Sequence, residues 1–281
     1  MDLRRFGLSS AQIERAGTVL NYQPFIVTDE FQTGVAYSWL YSEDPRVAPP
    51  LVFRRPKWES EWDKISVANG RLRMMYDDFI DEIARRYPGG SLLDVACNNG
   101  YFPVQASRVG MKNCAGSDLG AHHAEAIGFL NDAVGTDAKF IHAPYDPATG
   151  RLATTKRYDV VVAAAIMCHL PNPLRFLAAL GTVAQEAIFF WGQMLDTEEL
   201  VSAYKPPHPN LSEEQVFPYC FNDNTRVSKG LFREAAKQMG FRKVAFLEPK
   251  TSWLFTEGVE PGDLTSEVRL GSAHVAVLAT R

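Results

Sequence analysis

The sequence predicts an α/β chain built on an open, mostly parallel sheet of seven strands. Three observations predict it. Short apolar strands alternate with helical stripes after the first 65 residues, the order in which helices cover both faces of a sheet. The run DVVVAAAIM, Asp159 to Met167, is apolar on both faces, as a central parallel strand must be. The stretch LLDVACNNGYF, Leu92 to Phe102, joins a buried strand to a tight turn and then a helix.

The elements follow in order. Residues 1–65 carry Tyr22, Phe25, Phe31, Tyr37, Trp39, Tyr41, Phe53, Trp58 and Trp62 and read as an aromatic extension or cap, the alternative being a satellite core on the sheet edge. Leu72, Met75, Tyr76, Phe79, Ile80, Ile83, Ala84 and Tyr87 recur at three and four, a stripe that lies on a sheet, and Gly89 and Gly90 stop that helix. Then come a strand from Ser91 to Ala96, a helix from Pro103 to Val109, a strand from Cys114 to Ser117, a helix from Ala121 to Ala133 and a strand from Lys139 to Ala143. After the central strand Pro173 opens a helix, and Ala187 to Trp191 is the fifth strand. Gly192 to Val227 is a long, proline-marked insertion; long connections at strand carboxyl ends serve as lids or binding loops. Ser228 caps a helix that runs to Met239 and is closed by Gly240. Strands Lys243 to Glu248 and His274 to Thr280 finish the sheet, the last antiparallel.

Composition narrows the function. The 281 residues are 46% hydrophobic and 22% charged, ordinary for a globular protein, with no repeat or low-complexity segment. A net charge of -4 and a pI near 5.9 argue against a broad electrostatic grip on nucleic acid and favour a small-molecule partner, although Arg54, Arg55 and Lys57 form a local basic patch. Cys97, Cys114, Cys168 and Cys220 form no C-x-x-C pair and read as reduced thiols. The N-terminus lacks the apolar core of a signal peptide, and no run of about 18 apolar residues is present to span a bilayer, so the expected location is cytoplasmic.

The turn after the first sheet strand points to a nucleoside-bearing cofactor, because small residues there let a ligand approach bare backbone while the next helix aims its N-H groups at it. The dinucleotide pattern G-x-G-x-x-G fails at Ala96, Asn98 and Tyr101, which disfavours a nicotinamide dehydrogenase. The pattern acidic-x-G-x-G-x-G of S-adenosylmethionine (SAM) methyltransferases maps onto Asp94, Ala96, Asn98 and Gly100, with the acid and the last glycine kept. Asp118 ends the next strand, 24 residues after Asp94 and 18 after Gly100. Rossmann units place a ribose-gripping carboxylate about 20 residues past the loop. The competing role for Asp118 is a helix N-cap.

On these residues the chain resembles class I SAM-dependent methyltransferases, whose fold is a Rossmann-like seven-stranded sheet, and within them the branch that contains the tRNA wobble-uridine carboxymethyltransferase. The likeness runs from about Tyr22 to the C-terminus. It is carried by KWESEWDKI against the branch's WxxxWD-like segment, by DVACNNGY against its D-V-G-C-x-x-G-Y turn, and by His169 and Pro173 against a histidine that ends the fourth strand before a proline and a helix. Ala96 replaces that turn's first glycine. The resemblance implies a SAM-binding domain over 66–281 with a lid at 192–227, and Trp58 closing over the cofactor. Carboxymethyl-transferring members have a lysine just before the Trp-Asp pair, where Glu61 stands here. That lysine meets the extra carboxylate of carboxy-SAM, which Glu61 would repel, so ordinary SAM and plain methyl transfer are implied.

The chemistry needs little from the protein. Methyl transfer from a sulfonium is an in-line displacement, so alignment and exclusion of water come first. His169 is the candidate general base for a hydroxyl acceptor, against the alternative of a cap or core histidine. Tyr101 and Tyr145 are candidates to line the cofactor and Asp146 to lie near the adenine, each otherwise a loop residue; Leu119 and Ala165 complete the cofactor set. His122, His123 and Glu125 resemble a metal cluster, but adjacent side chains on a helix diverge by about 100 degrees, so no metal is expected. The leading expectation is methyl transfer to a small or medium-sized acceptor; the alternatives are a tRNA base modifier and a non-catalytic SAM-binding scaffold.

Overall fold

The structure, a computed structural model, describes residues 11, 25–28, 31–33, 75–205, 224–247 and 272–281. Trp58, Glu61, the Arg54, Arg55 and Lys57 patch, Cys220 and the prolines around His208 lie outside the described residues.

Two short strands, β1 (Phe25–Thr28) and β2 (Phe31–Thr33), pair antiparallel. A helix, α1, occupies 75–86. There follow β3 (Ser91–Val95), α2 (Tyr101–Arg108), β4 (Lys112–Ser117), α3 (His123–Val134), β5 (Lys139–Ile141), β6 (Tyr145–Asp146), β7 (Arg151–Leu152) and β8 (Tyr158–Ala164). A 3-10 turn at Met167–His169 leads to α4 (Pro173–Val183), β9 (Ala184–Leu195), β10 (Ser202–Lys205), β11 (Asn224–Val227), α5 (Lys229–Gln238), β12 (Lys243–Leu247) and β13 (Ser272–Thr280). Seven strands form the main sheet in the order β12-β13-β9-β8-β3-β4-β5. These are the seven expected strands, and only β13 is antiparallel to its neighbours.

Contacts divide the chain into two compact units. One comprises Met1–Gly89, Cys97–Ile141 and Pro249–Glu257; the other comprises Gly90–Ala96, His142–Glu248 and Gly258–Arg281.

In the first unit, α1 turns Met75, Tyr76, Phe79, Ile80 and Ile83 inward, the stripe its spacing predicts. Tyr76 meets Tyr101 and Phe102 of α2 at ring-centroid distances of 5.1 and 4.9 Å. Asp77 on α1 accepts from the Tyr101 hydroxyl at 2.5 Å and from Gln105 Nε2 at 3.1 Å, a polar clasp beside the aromatic contact. Strand β4 runs parallel to β5, with Ser117 level with Ile141. Helix α3 ends at Gly135, whose φ of +70 is the left-handed C-cap that glycine adopts without strain.

In the second unit, β8 is the buried strand that its apolar run predicts. Val160, Val161, Val162 and Ala163 are fully buried, between parallel partners β3 and β9. The Asp159 carboxylate accepts from the Ser91 N-H at 2.7 Å and hydroxyl at 2.8 Å, which sets the register where both strands begin. Helix α4 has Asn172 as its N-cap, with the side chain accepting from the Arg175 N-H, and Pro173 in its first turn. Ser228 caps α5 through the Leu231 N-H at 3.0 Å. Strand β9 extends well past its expected end at Trp191, because β13 pairs with it from Ala187↔Thr280 to Leu195↔Ser272. The first residues of the expected insertion, from Gly192, are therefore sheet; β10 and β11 form an antiparallel ribbon at its two sides.

Candidate functional site

The turn between β3 and α2 has a distinctive backbone. Ala96, Asn98 and Gly100 all have positive φ, at 65, 48 and 85. These are the three positions that align with the glycines of the acidic-x-G-x-G-x-G pattern. The left-handed conformation costs an ordinary residue roughly 1–2 kcal/mol, less for asparagine and nothing for glycine. The chain thus keeps the glycine-type path while only one glycine remains, and bears the strain mainly at Ala96. Gly100 is not replaceable on steric grounds either: a Cβ there would fall inside the Ile127 side chain, 2.9 Å from its Cδ1 and closer still to Cγ1.

The same unit holds the turn against the end of β4. The Cys97 N-H donates to the Ser117 carbonyl at 3.0 Å, and the Cys97 side chain fills the space over Gly116, where a Cβ would come 2.7 Å from its Sγ. Asp118, the residue after β4, accepts from the Asn98 N-H at 2.8 Å through one oxygen and from the Leu119 N-H at 2.7 Å through the other. Its carboxylate is thereby fixed beside the turn, with lone pairs left on both oxygens. The N-cap alternative does not hold, since His122 occupies the N-cap position of α3.

His123 opens α3 and sets its Nε2 3.6 Å from Asp118 Oδ1, with side-chain exposures of 13% and 16%. Burial pulls the His123 imidazole below its ordinary value, Asp118 pulls it back up, and His122 lowers it further. The rings of His122 and His123 do not diverge as successive helical residues would. They lie 4.0 Å apart and tilted by 40°, with His122 at the N-cap of α3. Among the described residues no three His, Cys, Asp or Glu side chains are grouped to hold a metal ion.

Tyr101 begins α2, and its ring is 2% exposed, packed on Tyr76 and Phe102 with the hydroxyl donated to Asp77; the side chain belongs to the core. Pro103 sits in the first turn, where an N-H would have no partner within the helix.

In the second unit Asp94 is 1% exposed on β3, level with Val162 of β8. Ala165 follows β8 with a φ of +56 and donates its N-H to the Trp191 carbonyl at 2.7 Å. That left-handed residue ends the strand, so His169 does not lie at the strand end as expected. It is five residues beyond Ala164, closing the 3-10 turn and half-buried, with its N-H donated to the Ile166 carbonyl. Tyr145 on β6 packs edge-on against Phe176 of α4, and burial pushes its hydroxyl up in pKa. The exposed Asp146 carboxylate accepts from the Thr149 hydroxyl and the Ala148 N-H; these bonds hold it below the usual carboxylate range and make it a turn-forming residue.

Three features here were not foreseen from the sequence: the clasp of Asp118 on Asn98, the His123 contact, and the left-handed Ala165. The spacing from the loop to the acid signals the first; nothing local signals the third.

A family model described as a methyltransferase domain matches residues 69–244. The tRNA U34 carboxymethyltransferase of Nautilia profundicola is 27% identical over 95 residues, which are 32% of this chain and 29% of that protein. Among solved structures, the N-terminal domain of EvdMO1 with SAH bound superposes with a TM-score of 0.61 at 15% identity, over 100% of this chain and 97% of that one. The same domain in the presence of SAH and D-fucose gives 0.58 at 14% identity, with the same coverage. These likenesses establish the fold.

Proposed function

The chain belongs to the methyltransferase-domain family, and from that membership we propose that it transfers the methyl group of SAM to a small or medium-sized acceptor. The observation that carries this is the run of left-handed backbone at Ala96, Asn98 and Gly100, with the Asp118 carboxylate held at its side by the Asn98 N-H. Those residues fit an adenosyl group. The missing Cβ at Gly100 keeps the turn tight, and Asp118 has acceptor capacity left for two ribose hydroxyls, as charge-assisted bonds. When bound, SAM supplies an electrophilic methyl on a sulfonium. The chain's own tasks are to grip the ribose through Asp118, bring backbone against the cofactor at 98–100, exclude water, and take a proton at His169 when the acceptor is a hydroxyl. Leu119, next to Asp118, and Ala165, in left-handed backbone after β8, are assigned to the cofactor as well.

Cys97 and Cys114 are buried cysteines outside any disulfide, which supports a cytoplasmic place for the reaction. No helix among the described residues is long and apolar enough to cross a membrane. A second reading, modification of a tRNA base, is favoured by the likeness to the Nautilia enzyme, although the matched stretch spans 29% of that protein.

The test is titration calorimetry with SAM, followed by transfer of labelled methyl to a panel of hydroxyl, amine and carboxylate acceptors and to bulk tRNA. SAM binding with turnover on a small acceptor is the expected result. No binding at millimolar SAM removes the proposal, and turnover on tRNA alone, with a salt-sensitive gel shift, selects the second reading.

A further inference from the structure

We infer that His123 makes cofactor binding sensitive to pH, by competing with the ribose for the Asp118 carboxylate when its ring is protonated. This rests on the cofactor reading of Asp118 given above. His123 Nε2 sits 3.6 Å from Asp118 Oδ1, beyond a good hydrogen bond but inside ion-pair range. Both side chains are largely shielded from water, so a charge placed on the ring acts strongly on the carboxylate beside it.

The local architecture holds the ring there. The His123 N-H donates to the Gly120 carbonyl at 3.2 Å, and the His122 ring lies tilted against His123 at 4.0 Å. Gly120 makes room for the His122 ring, since a Cβ on it would lie 2.5 Å from His122 Nδ1. The charged groups acting on His123 are Asp118, which favours its protonation, and His122, which opposes it. Elsewhere around α3, Glu125 lies in its first turn. Lys139 of β5 is level with Ala115 and so three residues short of Asp118, Arg108 is at the far end of α2, and β1 carries no titratable residue. No other cation is therefore placed to neutralise Asp118 among these neighbours.

The sign follows from competition. A ribose hydroxyl donates to Asp118, and protonated His123 donates to the same oxygen and cancels its charge, so the two exclude one another. Affinity is full where His123 is neutral and falls as pH drops through the His123 pKa, by at most about tenfold per pH unit. Bound cofactor must lower the His123 pKa by the same linkage.

The experiment uses SAH, with affinity measured by calorimetry from about pH 8 to about pH 5.5 for the wild type and for His123→Gln, which cannot titrate. The expected result is a wild-type affinity that falls at least about twofold further across this range than that of the variant. Titration of the ligand is common to both proteins and cancels. An NMR titration of His123 in the wild type, with and without SAH, covers the case of a variant that does not fold: its pKa must drop when SAH binds. Tight binding with the same pH profile in both proteins, or a His123 pKa indifferent to SAH, overturns the inference alone. Absence of SAH binding at every pH overturns the cofactor reading and this inference with it.

Discussion

Gly100→Ala concentrates the physics of the turn between β3 and α2 in one methyl group. Two penalties arise independently. The backbone sits at a φ of +85, where an L residue costs roughly 1–2 kcal/mol. The new Cβ would enter the Ile127 side chain, 2.9 Å from Cδ1 and nearer to Cγ1, and overpacking in a well-filled core costs roughly 1–3 kcal/mol. The sum is about 2–5 kcal/mol, a large part of the roughly 5–15 kcal/mol that keeps such a domain folded. Urea unfolding reads this as a lowered midpoint at constant slope. The steric share can be isolated with Ile127→Ala, which leaves its Cβ at an ordinary 3.6 Å from the added methyl. Ile127 is 1% exposed, so Ile127→Ala alone costs roughly 2–5 kcal/mol, yet the double variant recovers about 1–3 kcal/mol relative to the sum of the two. SAM affinity in Gly100→Ala falls as the turn shifts. An unchanged urea midpoint with unchanged SAM affinity, or strict additivity in the double variant, refutes the packing reasoning.

Three further outcomes are expected. Asp118→Ala removes charge-assisted bonds worth roughly 1.5–3 kcal/mol and weakens SAM binding about 10- to 150-fold by calorimetry, whereas unchanged affinity denies it the ribose. His169→Ala depresses turnover on a hydroxyl acceptor by about 10²- to 10⁴-fold with cofactor affinity kept; full activity would make it a packing residue. Burial first, and then Asp137, push the Cys114 thiol from its ordinary 9.0 up to about 12. Its folded pKa lies above its unfolded one, so its contribution to stability is complete below pH 9 and is lost as pH rises from about 9 toward 12. Folded protein at pH 8 should leave Cys114 unreacted with a thiol reagent that labels it after unfolding; rapid labelling of the native state would show that the burial is not real.

The seven strands of the sheet and the strand-turn-helix at Leu92 to Phe102 were legible in the sequence because both rest on patterns that survive substitution. The valines of β8 have no polar face, the apolar stripe of α1 recurs at helical spacing, and helix ends are marked by the Ser228 hydroxyl, the fixed φ of Pro173 and the missing Cβ of Gly240. What was not legible depends on partners distant in sequence. Strand β9 extends to Leu195 because β13, some eighty residues later, pairs along it. The end of β8 at Ala164 is set by the left-handed Ala165 and its bond to Trp191, which no local residue preference predicts, and this carries His169 into a 3-10 turn. Tyr101 looked like a cofactor-facing aromatic because it follows Gly100, but Asp77 and Tyr76 on α1 draw it into the core. Ala96 stands where the pattern has its first glycine. The backbone shows that the conformation the glycine served is still there.

Everything functional proposed here depends on an adenosyl ribose lying against Asp118 beside the turn that contains Ala96, Asn98 and Gly100. A crystal structure with SAH measures this directly. The account predicts both ribose hydroxyls within about 2.5–3.0 Å of the Asp118 carboxylate, with the Asn98 N-H still bound to it. Electron density for SAH elsewhere, with Asp118 bonded only to Asn98 and Leu119, contradicts it.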